Sequence, residues 1–450
     1  MLEWSRLVNT DRFRVNDDDV CARISVEPAQ ARTAFAQDAD RIMFSSSFRR
    51  LSRKTQVHPL AMNDHLHNRL THSLEVASVG RSLGTIVGGY LEEKRMLTDS
   101  IRAHHIGEIV QAACLAHDIG NPPFGHAGEA AMQDWFQTPL HERYVRDLTE
   151  TQKSDFNNFD GNAQSFRIVT ALENNAFRGG MRLTYPTLAA MVKYPVSSRH
   201  AEKEGKTKFG FYKSEENIFL HIARELGLGA DIDRICRHPL SFLTEAADDI
   251  CYNLVDLEDA HEMKILTIDD VFDIVAPAFE GKTKGDILDK PEQSARRQVS
   301  YLRTCVMNIM IKDIVAAFIS HHDTIMAGAM TDDIVSVACD RTRHTIGNAR
   351  RVAREKIFKE KRKTTLEIGA YTVFERLFDV FIPAVYEHVR NDSNKGKSFK
   401  TSRVLDLLGT NAPAVNTSLY GAYQAVVDFV SGMTDDYATF VSSQFSGAGK

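Results

Sequence analysis

The chain reads as all-α, and three observations carry that expectation. Its 26 glycines and 12 prolines in 450 residues amount to about 8 %, against a usual level of roughly 12 %, so turn residues are scarce. Apolar residues recur at helical spacing in one segment after another, as in Val76, Val79, Leu83, Ile86 and Tyr90. No alternating strand pattern runs beyond two or three residues. The hydrophobic fraction of 43 % is ordinary for a globular protein, and the length allows one large core or two to three domains.

The totals also narrow the function classes. No apolar run approaches the roughly 18 residues needed to span a bilayer, and the N-terminus lacks a signal-peptide core. A soluble, cytoplasmic protein that does not engage membranes is expected. The six cysteines, at 21, 114, 236, 251, 305 and 339, contain no CxxC pair, which argues against a disulfide framework and against a zinc ribbon. With a net charge of -5, any polyanion site must come from local clusters of basic side chains.

In chain order, the first forty residues are polar and mixed in charge, including Asp17-Asp18-Asp19, and read as an arm laid on a larger body or as partly disordered. From Asp40, Ile42, Phe44, Phe48 and Leu51 fall at roughly helical spacing. The accompanying Arg41, Arg49, Arg50, Arg53 and Lys54 form either a solvated helix face or an anion-facing edge. Asn68 to Glu75 opens a strong helix with Arg69 and His72 in its first turns. A second apolar run, Ile109 to Ala116, ends in His117-Asp118. The turn Gly120-Asn121-Pro122-Pro123 stops it and delivers His126 and Glu129.

Residues 137 to 160 are polar and read as a loop or lid. Helices are expected at about 162–175 and 187–192. Lys193-Tyr194-Pro195 then breaks the pattern ahead of a basic segment at 199–213, read as a mobile loop carrying positive charge. Beyond Ser214 helices are nearly continuous, at about 214–226, 241–263, 268–278, 292–319, 332–338, 345–360, 364–389, 402–408 and 418–430. In the 241–263 helix, Leu243, Ala247, Ile250, Leu254 and Leu257 make an apolar stripe. Asp248, Tyr252 and Asp256, at i, i+4 and i+8, make a polar one beside it. Buried, that polar stripe needs partners, and a cation and a sugar hydroxyl would serve.

His72, His117, Asp118 and Asp248 thus stand out as candidate metal ligands. Two imidazoles and two carboxylates suit one divalent ion, Mn²⁺, Mg²⁺, Fe or Zn²⁺, with positions left open for water and phosphoryl oxygens. His126 and Glu129, three residues apart, suit a proton-transfer pair in which the carboxylate orients the imidazole. Hydrolysis of a phosphoester is the chemistry such a set performs.

These residues carry a family resemblance. His72, His117-Asp118 and the distant Asp248 resemble the H…HD…D signature of HD-domain metal-dependent phosphohydrolases. The longer strings are more specific: Phe48 to Leu51 with Lys54 to Val57, Arg69 to Ser73, His117 to His126, Gly161 to Gln164, Lys193 to Pro195, Glu245 to Ile250 and Gly432 to Asp435. Together they resemble the bacterial dGTPase-like deoxynucleoside triphosphate triphosphohydrolases, from about residue 38 to about 440.

The resemblance implies an HD-domain helical core with an additional helical C-terminal region. Its expected division is an N-terminal arm and first core helix at 1–64, the HD phosphohydrolase core at 65–263, and a helical region at 264–450 that completes the active site. The implied reaction converts a dNTP, with dGTP the favoured candidate, to deoxynucleoside and tripolyphosphate by water attack at the α-phosphorus. By position, His72, His117, Asp118 and Asp248 would hold one metal ion, Mn²⁺ or Mg²⁺ being favoured for activity, and His126 and Glu129 would be the catalytic pair. Gln56 and Asp256 match positions that hold the deoxyribose 3′-OH. Tyr252 matches the aromatic that leaves no room for a 2′-OH, and Arg69, Lys193 and Tyr194 match phosphate-contacting positions. A homo-oligomer, dimer-based and possibly hexameric, and an allosteric second dNTP or single-stranded DNA also follow from the resemblance. The alternatives are an HD hydrolase of another nucleotide, which the set Gln56, Tyr252 and Asp256 argues against, and a regulatory or DNA-binding HD module with little turnover.

Overall fold

The computed structural model describes residues 1–15, 21–24, 32–56, 66–173, 179–288, 294–390 and 397–447. The acidic run at 17–19, Val57 of the basic segment and the 174–175 end of one expected helix lie outside the described residues. Helices dominate the rest, as the sequence predicts. The exception is a hairpin, Arg12–Val15 antiparallel to Cys21–Ile24 with Arg12 opposite Ile24. Strands of four residues were not expected. Arg-Phe-Arg-Val contains only one full alternation, and Phe13 is its one fully buried side chain, so the pattern is too short to read.

The arm is tied to the body by named contacts. Trp4 Nε1 donates to His322 Nε2 at 3.0 Å, His238 Nε2 donates to the Leu7 carbonyl at 3.1 Å, and Arg12 pairs with Asp38 at 2.6 Å where both are buried. Of the basic residues at 41–54, Lys54 is 2 % exposed and caps the Asn121 and Ser431 carbonyls at 2.6 and 2.7 Å. Arg41 reaches the Met181 carbonyl at 3.1 Å. Those two cations staple segments together, which neither sequence reading of this stretch foresaw.

Two long helices frame the centre, Arg69–Glu93 and Pro239–Glu262, with Ala103–Ala116 packed against both. The apolar face of the first differs from the expected one. Ile86 is exposed, whereas Val87 and Leu91 are buried with Val76, Val79 and Leu83. At 3.6 residues per turn, i+11 returns to the starting face and i+10 falls well off it.

The 137–160 stretch is helical rather than a loop. It contains Pro139–His141, Glu142–Val145 and Glu150–Asn157, and it buries Tyr144, Leu148, Ser154, Asp155 and Phe156. Its few apolar side chains anchor a polar surface, which hid the helix. The expected helix at 332–338 is a turn instead. Asp333 accepts from the amide and hydroxyl of Ser336 at 2.7 and 2.8 Å, a local closure that competes with helix formation. A last helix, Asp435–Phe445, was not predicted.

Two apolar cores result. One gathers the N-terminal arm, the three central helices and the 264–357 region. The other joins Phe124 to Ala163 with Ala370 to Val441, around Phe374, Phe378 and Tyr423. The turn 117–125 runs from the first core to the second, which places a break in the backbone where both meet.

Candidate active site

Each functional side chain is delivered by a local device. Asn68 caps the Arg69–Glu93 helix, its side chain accepting from the Leu70 and Thr71 amides at 3.0 Å while Thr71 Oγ1 accepts from the Asn68 amide. This capping box fixes Arg69 and His72 in the first turn. His117 sits at the C-terminal end of Ala103–Ala116. Its Nδ1 donates to the Cys114 carbonyl at 2.6 Å, which turns Nε2 toward Asp248.

The turn after Asp118 depends on glycine. A Cβ on Gly120 would lie 2.2 Å from the Ser165 amide nitrogen and 2.3 Å from the Gly161 carbonyl oxygen. Only a glycine lets this turn rest on the Gly161–Arg167 helix. Gly125 has φ 57°, and a Cβ there would meet the Arg69 guanidinium at 2.6 Å. The helix His126–Gln137 starts immediately after it.

The outcome is a cavity of about 540 Å³. On one wall, ligand atoms of His72, His117 and Asp248 lie within 4.8 Å of one another. Asp248 Oδ1 is 3.1 Å from His72 Nε2 and 3.5 Å from His117 Nε2. His117 Nε2 is buried without a hydrogen-bond partner. A buried imidazole nitrogen set beside a carboxylate and a second imidazole fits a divalent cation. Asp118 stands beside this trio, with one oxygen 3.7 Å from His117 Nε2 and the other on Arg69 Nη1 at 2.7 Å.

The electrostatics follow from these pairs. Burial alone would push the Asp248 carboxyl up. The ammonium of Lys193, 2.8 Å from Oδ2, together with His117 and His72, outweighs burial and holds it well below the usual carboxylate range. Asp118 behaves alike: Arg69 and the two imidazoles overcome its desolvation and hold it at about 2. Both carboxylates are therefore anionic acceptors at neutral pH.

In the same cavity, His126 Nδ1 lies 3.0 Å from Glu129 Oε2. Glu129 is buried, and its other oxygen accepts the Gly161 amide at 2.8 Å. The His126 ring itself is 80 % exposed and lines the cavity. A fixed carboxylate thus orients a solvent-facing imidazole, the geometry of a proton-transfer pair.

Gln56, Arg69, Lys193, Tyr194 and Tyr252 also line the cavity, so of the twelve predicted site residues only Asp256 does not. It lies one turn beyond Tyr252, fully buried, with neither carboxylate oxygen hydrogen-bonded. Several lining residues were missed. Lys208 belonged to the supposed mobile loop, yet its ammonium is 3.4 Å from Glu129 Oε2, and Phe209, Phe211 and Tyr212 after it are buried. That aromatic run was the available signal. Asn162 lines the cavity too, within a string already singled out. Phe358, Lys363 and Glu367 lie at the junction of two helices and carried no signal. Asp249 is paired with Arg350 at 2.6 Å.

The sequence profile of the HD domain matches residues 69–186, the stretch that supplies His72, His117, Asp118, His126 and Glu129. The chain is 46 % identical over 456 residues to a deoxyguanosinetriphosphate triphosphohydrolase-like protein of Pseudomonas aeruginosa, with 99 % of each chain covered. It is 36 % identical over 462 residues to a protein of the same description from Synechocystis, again with 99 % of each covered. A deoxyguanosinetriphosphate triphosphohydrolase of Yersinia pseudotuberculosis is 30 % identical over 481 residues, with 90 % of this chain and 92 % of the relative covered.

Proposed function

Because the chain belongs to the deoxyguanosinetriphosphate triphosphohydrolase-like family of HD-domain proteins, we propose that it hydrolyses a dNTP, dGTP foremost, to deoxynucleoside and inorganic tripolyphosphate. The observation that carries this reading is the juxtaposition, across one cavity, of the His72, His117 and Asp248 trio with the His126–Glu129 pair. In this reading the trio, with Asp118, holds one divalent ion, Mn²⁺ or Mg²⁺ for activity. Such an ion supplies positive charge to a phosphoryl oxygen and acidifies water near phosphorus.

The chain's own residues do the rest. Glu129, tied to the Gly161 amide, fixes the His126 ring, so the imidazole can exchange a proton with an oxygen at the α-phosphorus. Arg69 and Lys193 are salt-bridged to Asp118 and Asp248 and present guanidinium and ammonium groups to the phosphates, with Tyr194 beside Lys193.

The deoxyribose falls to Gln56, Tyr252 and Asp256. Gln56 Oε1 and both Asp256 oxygens are buried without partners, and burial pushes the Asp256 carboxyl well up; a sugar 3′-OH is a donor that would satisfy Gln56 Oε1, which lines the cavity. Tyr252 forms the wall that excludes a 2′-OH. Next to it, with ring centroids 6.4 Å apart, Phe358 also lines the cavity, with the Lys363 ammonium 5.0 Å from its ring centroid and paired with Glu367.

A homo-oligomer, dimer-based or hexameric, and control by a second dNTP or single-stranded DNA belong to the same reading, as does a cytoplasmic setting. Among the described residues no helix is long and apolar enough to cross a membrane.

The test is product analysis with all four dNTPs and GTP, singly, in pairs and with DNA, on protein whose metal content is measured. Tripolyphosphate is expected from dNTPs and not from GTP. Its absence from every dNTP mixture with Mn²⁺ or Mg²⁺ would overturn the reading in favour of another nucleotide or a regulatory role.

A further inference from the structure

The segment from Ser198 to Lys213 leaves the cavity wall at Lys193-Tyr194 and returns to the body 20 residues later. Its middle residue for function is Lys208, whose ammonium reaches Glu129 Oε2 at 3.4 Å and Asp160 Oδ2 at 3.6 Å. Both ends of the segment are tied to a single buried side chain, Asp155. Ser198 Oγ donates to Asp155 Oδ1 at 2.5 Å, and the Lys213 amide donates to Oδ2 at 2.9 Å. Tyr420 also donates to Oδ2, at 2.5 Å, from the helix Leu419–Ser431.

Five residues on, Asp160 takes the Phe209 amide at 3.3 Å, so the backbone beside Lys208 is fixed as well. The buried rings of Phe209, Phe211 and Tyr212 hold the segment down without direction. Hydrophobic contact alone permits sliding, whereas a carboxylate shared by both ends sets the register. A parallel bridge between Ser197 and Phe211 closes the neck of the loop.

We propose that Asp155 is a positioning residue: by tying both ends of the 198–213 segment it holds Lys208 at the cavity, where the ammonium meets the polyphosphate of the substrate. This rests on the polyphosphate reading above. Asp155 is not among the residues that line the cavity, so its effect passes through Lys208.

The experiment compares Lys208→Ala, Asp155→Asn, Ser198→Ala, the double variant of Asp155→Asn with Lys208→Ala, and Tyr420→Phe. Each is measured for KM and kcat with dGTP and for affinity toward inorganic tripolyphosphate in the presence of Mg²⁺. Lys208→Ala should raise KM and weaken tripolyphosphate binding by about tenfold or more, the scale of a lost charge-assisted contact. Asp155→Asn and Ser198→Ala should shift both in the same direction with a smaller change in kcat. The double variant should be no worse than Lys208→Ala, because residues acting through one group are not additive. Tyr420→Phe leaves both ties intact and should keep the wild-type KM.

The proposal is overturned if Asp155→Asn and Ser198→Ala leave KM and tripolyphosphate affinity unchanged, if the Asp155 and Lys208 losses multiply, or if Lys208→Ala has no effect. Should Asp155→Asn fail to fold, Ser198→Ala decides alone. If the wild type turns over no dNTP, the reaction reading falls, and tripolyphosphate titration still decides the positioning role.

Discussion

Both oxygens of Glu129 are committed, one to His126 and one to the Gly161 amide, and this governs two residue-scale outcomes. Burial would raise its pKa from the ordinary 4.5, but His126, Lys208 and the Gly161 amide prevail and hold it at about 2. A folded-state pKa below the unfolded one contributes stability that is complete above about 4.5 and is lost as pH falls toward about 2. Urea unfolding at about pH 5.5 and about pH 3 should therefore show a larger loss for the wild type than for Glu129→Gln. Equal losses would contradict the assignment. The proposed division of labour in the cavity gives the second outcome. His126→Ala should lower kcat by about 10²- to 10⁴-fold with metal still bound, and Asp248→Ala should lose the metal. Metal analysis and turnover on the same samples check it, and loss of metal from both variants would dissolve the distinction.

At the scale of elements, the approach of two helices sets the distance between His72 and His117. Gly80, Gly84 and Gly88 recur every four residues along Arg69–Glu93 and face Ala103–Ala116. A Cβ on Gly88 would lie 2.5 Å from the Ala103 carbonyl oxygen and 2.8 Å from its Cα, while one on Gly84 would lie 2.8 Å from the Ile106 carbonyl oxygen. These are backbone atoms and cannot swing aside, so the helices must part. Gly88→Ala should cost about 1–3 kcal/mol and lower metal affinity as the imidazoles separate. Gly89→Ala, where a Cβ meets nothing within 4 Å, should be neutral or stabilise by up to about 1 kcal/mol. Thermal melts of the two variants form a matched pair, and equal losses would refute the close-contact account.

The molecule as a whole closes around the site through its C-terminal region. Asp435 is buried at the start of the last helix. One oxygen accepts from the Thr55 amide at 3.0 Å and hydroxyl at 2.6 Å, and the other accepts from the Phe124 amide at 3.0 Å. Lys54 adds its bond to Ser431. Two cavity walls, at 55–56 and 124–126, are thus indexed to a helix more than 300 residues away. Asp435→Ala strands the buried Phe124 amide and the half-buried Thr55 amide and should destabilise by about 2 kcal/mol, with a fall in turnover at temperatures where the fold persists. The exposed neighbour Asp436→Ala should stay within about 0.5 kcal/mol. Denaturant unfolding and initial rates of both variants decide the matter, and matching behaviour would refute the tie.

What the sequence by itself determined is the helical class, the family and, of twelve named side chains, the eleven that line one cavity. His72, His117, Asp118 and Asp248 were legible because helical periodicity and breaks announce which face and which end a residue occupies, and the strings around them are distinctive. Only the tertiary structure decided the rest. The 137–160 and 199–213 stretches read as loops because their polar composition outweighs a few anchoring side chains, yet a shared buried carboxylate, Asp155, fixes them. Lys208 and Phe358 enter the cavity from breaks in the helical pattern, Glu367 enters it from the second turn of the Lys361–Arg390 helix, and Asp435 reaches Thr55 across the whole chain. Such contacts depend on long-range closure, which local spacing does not encode.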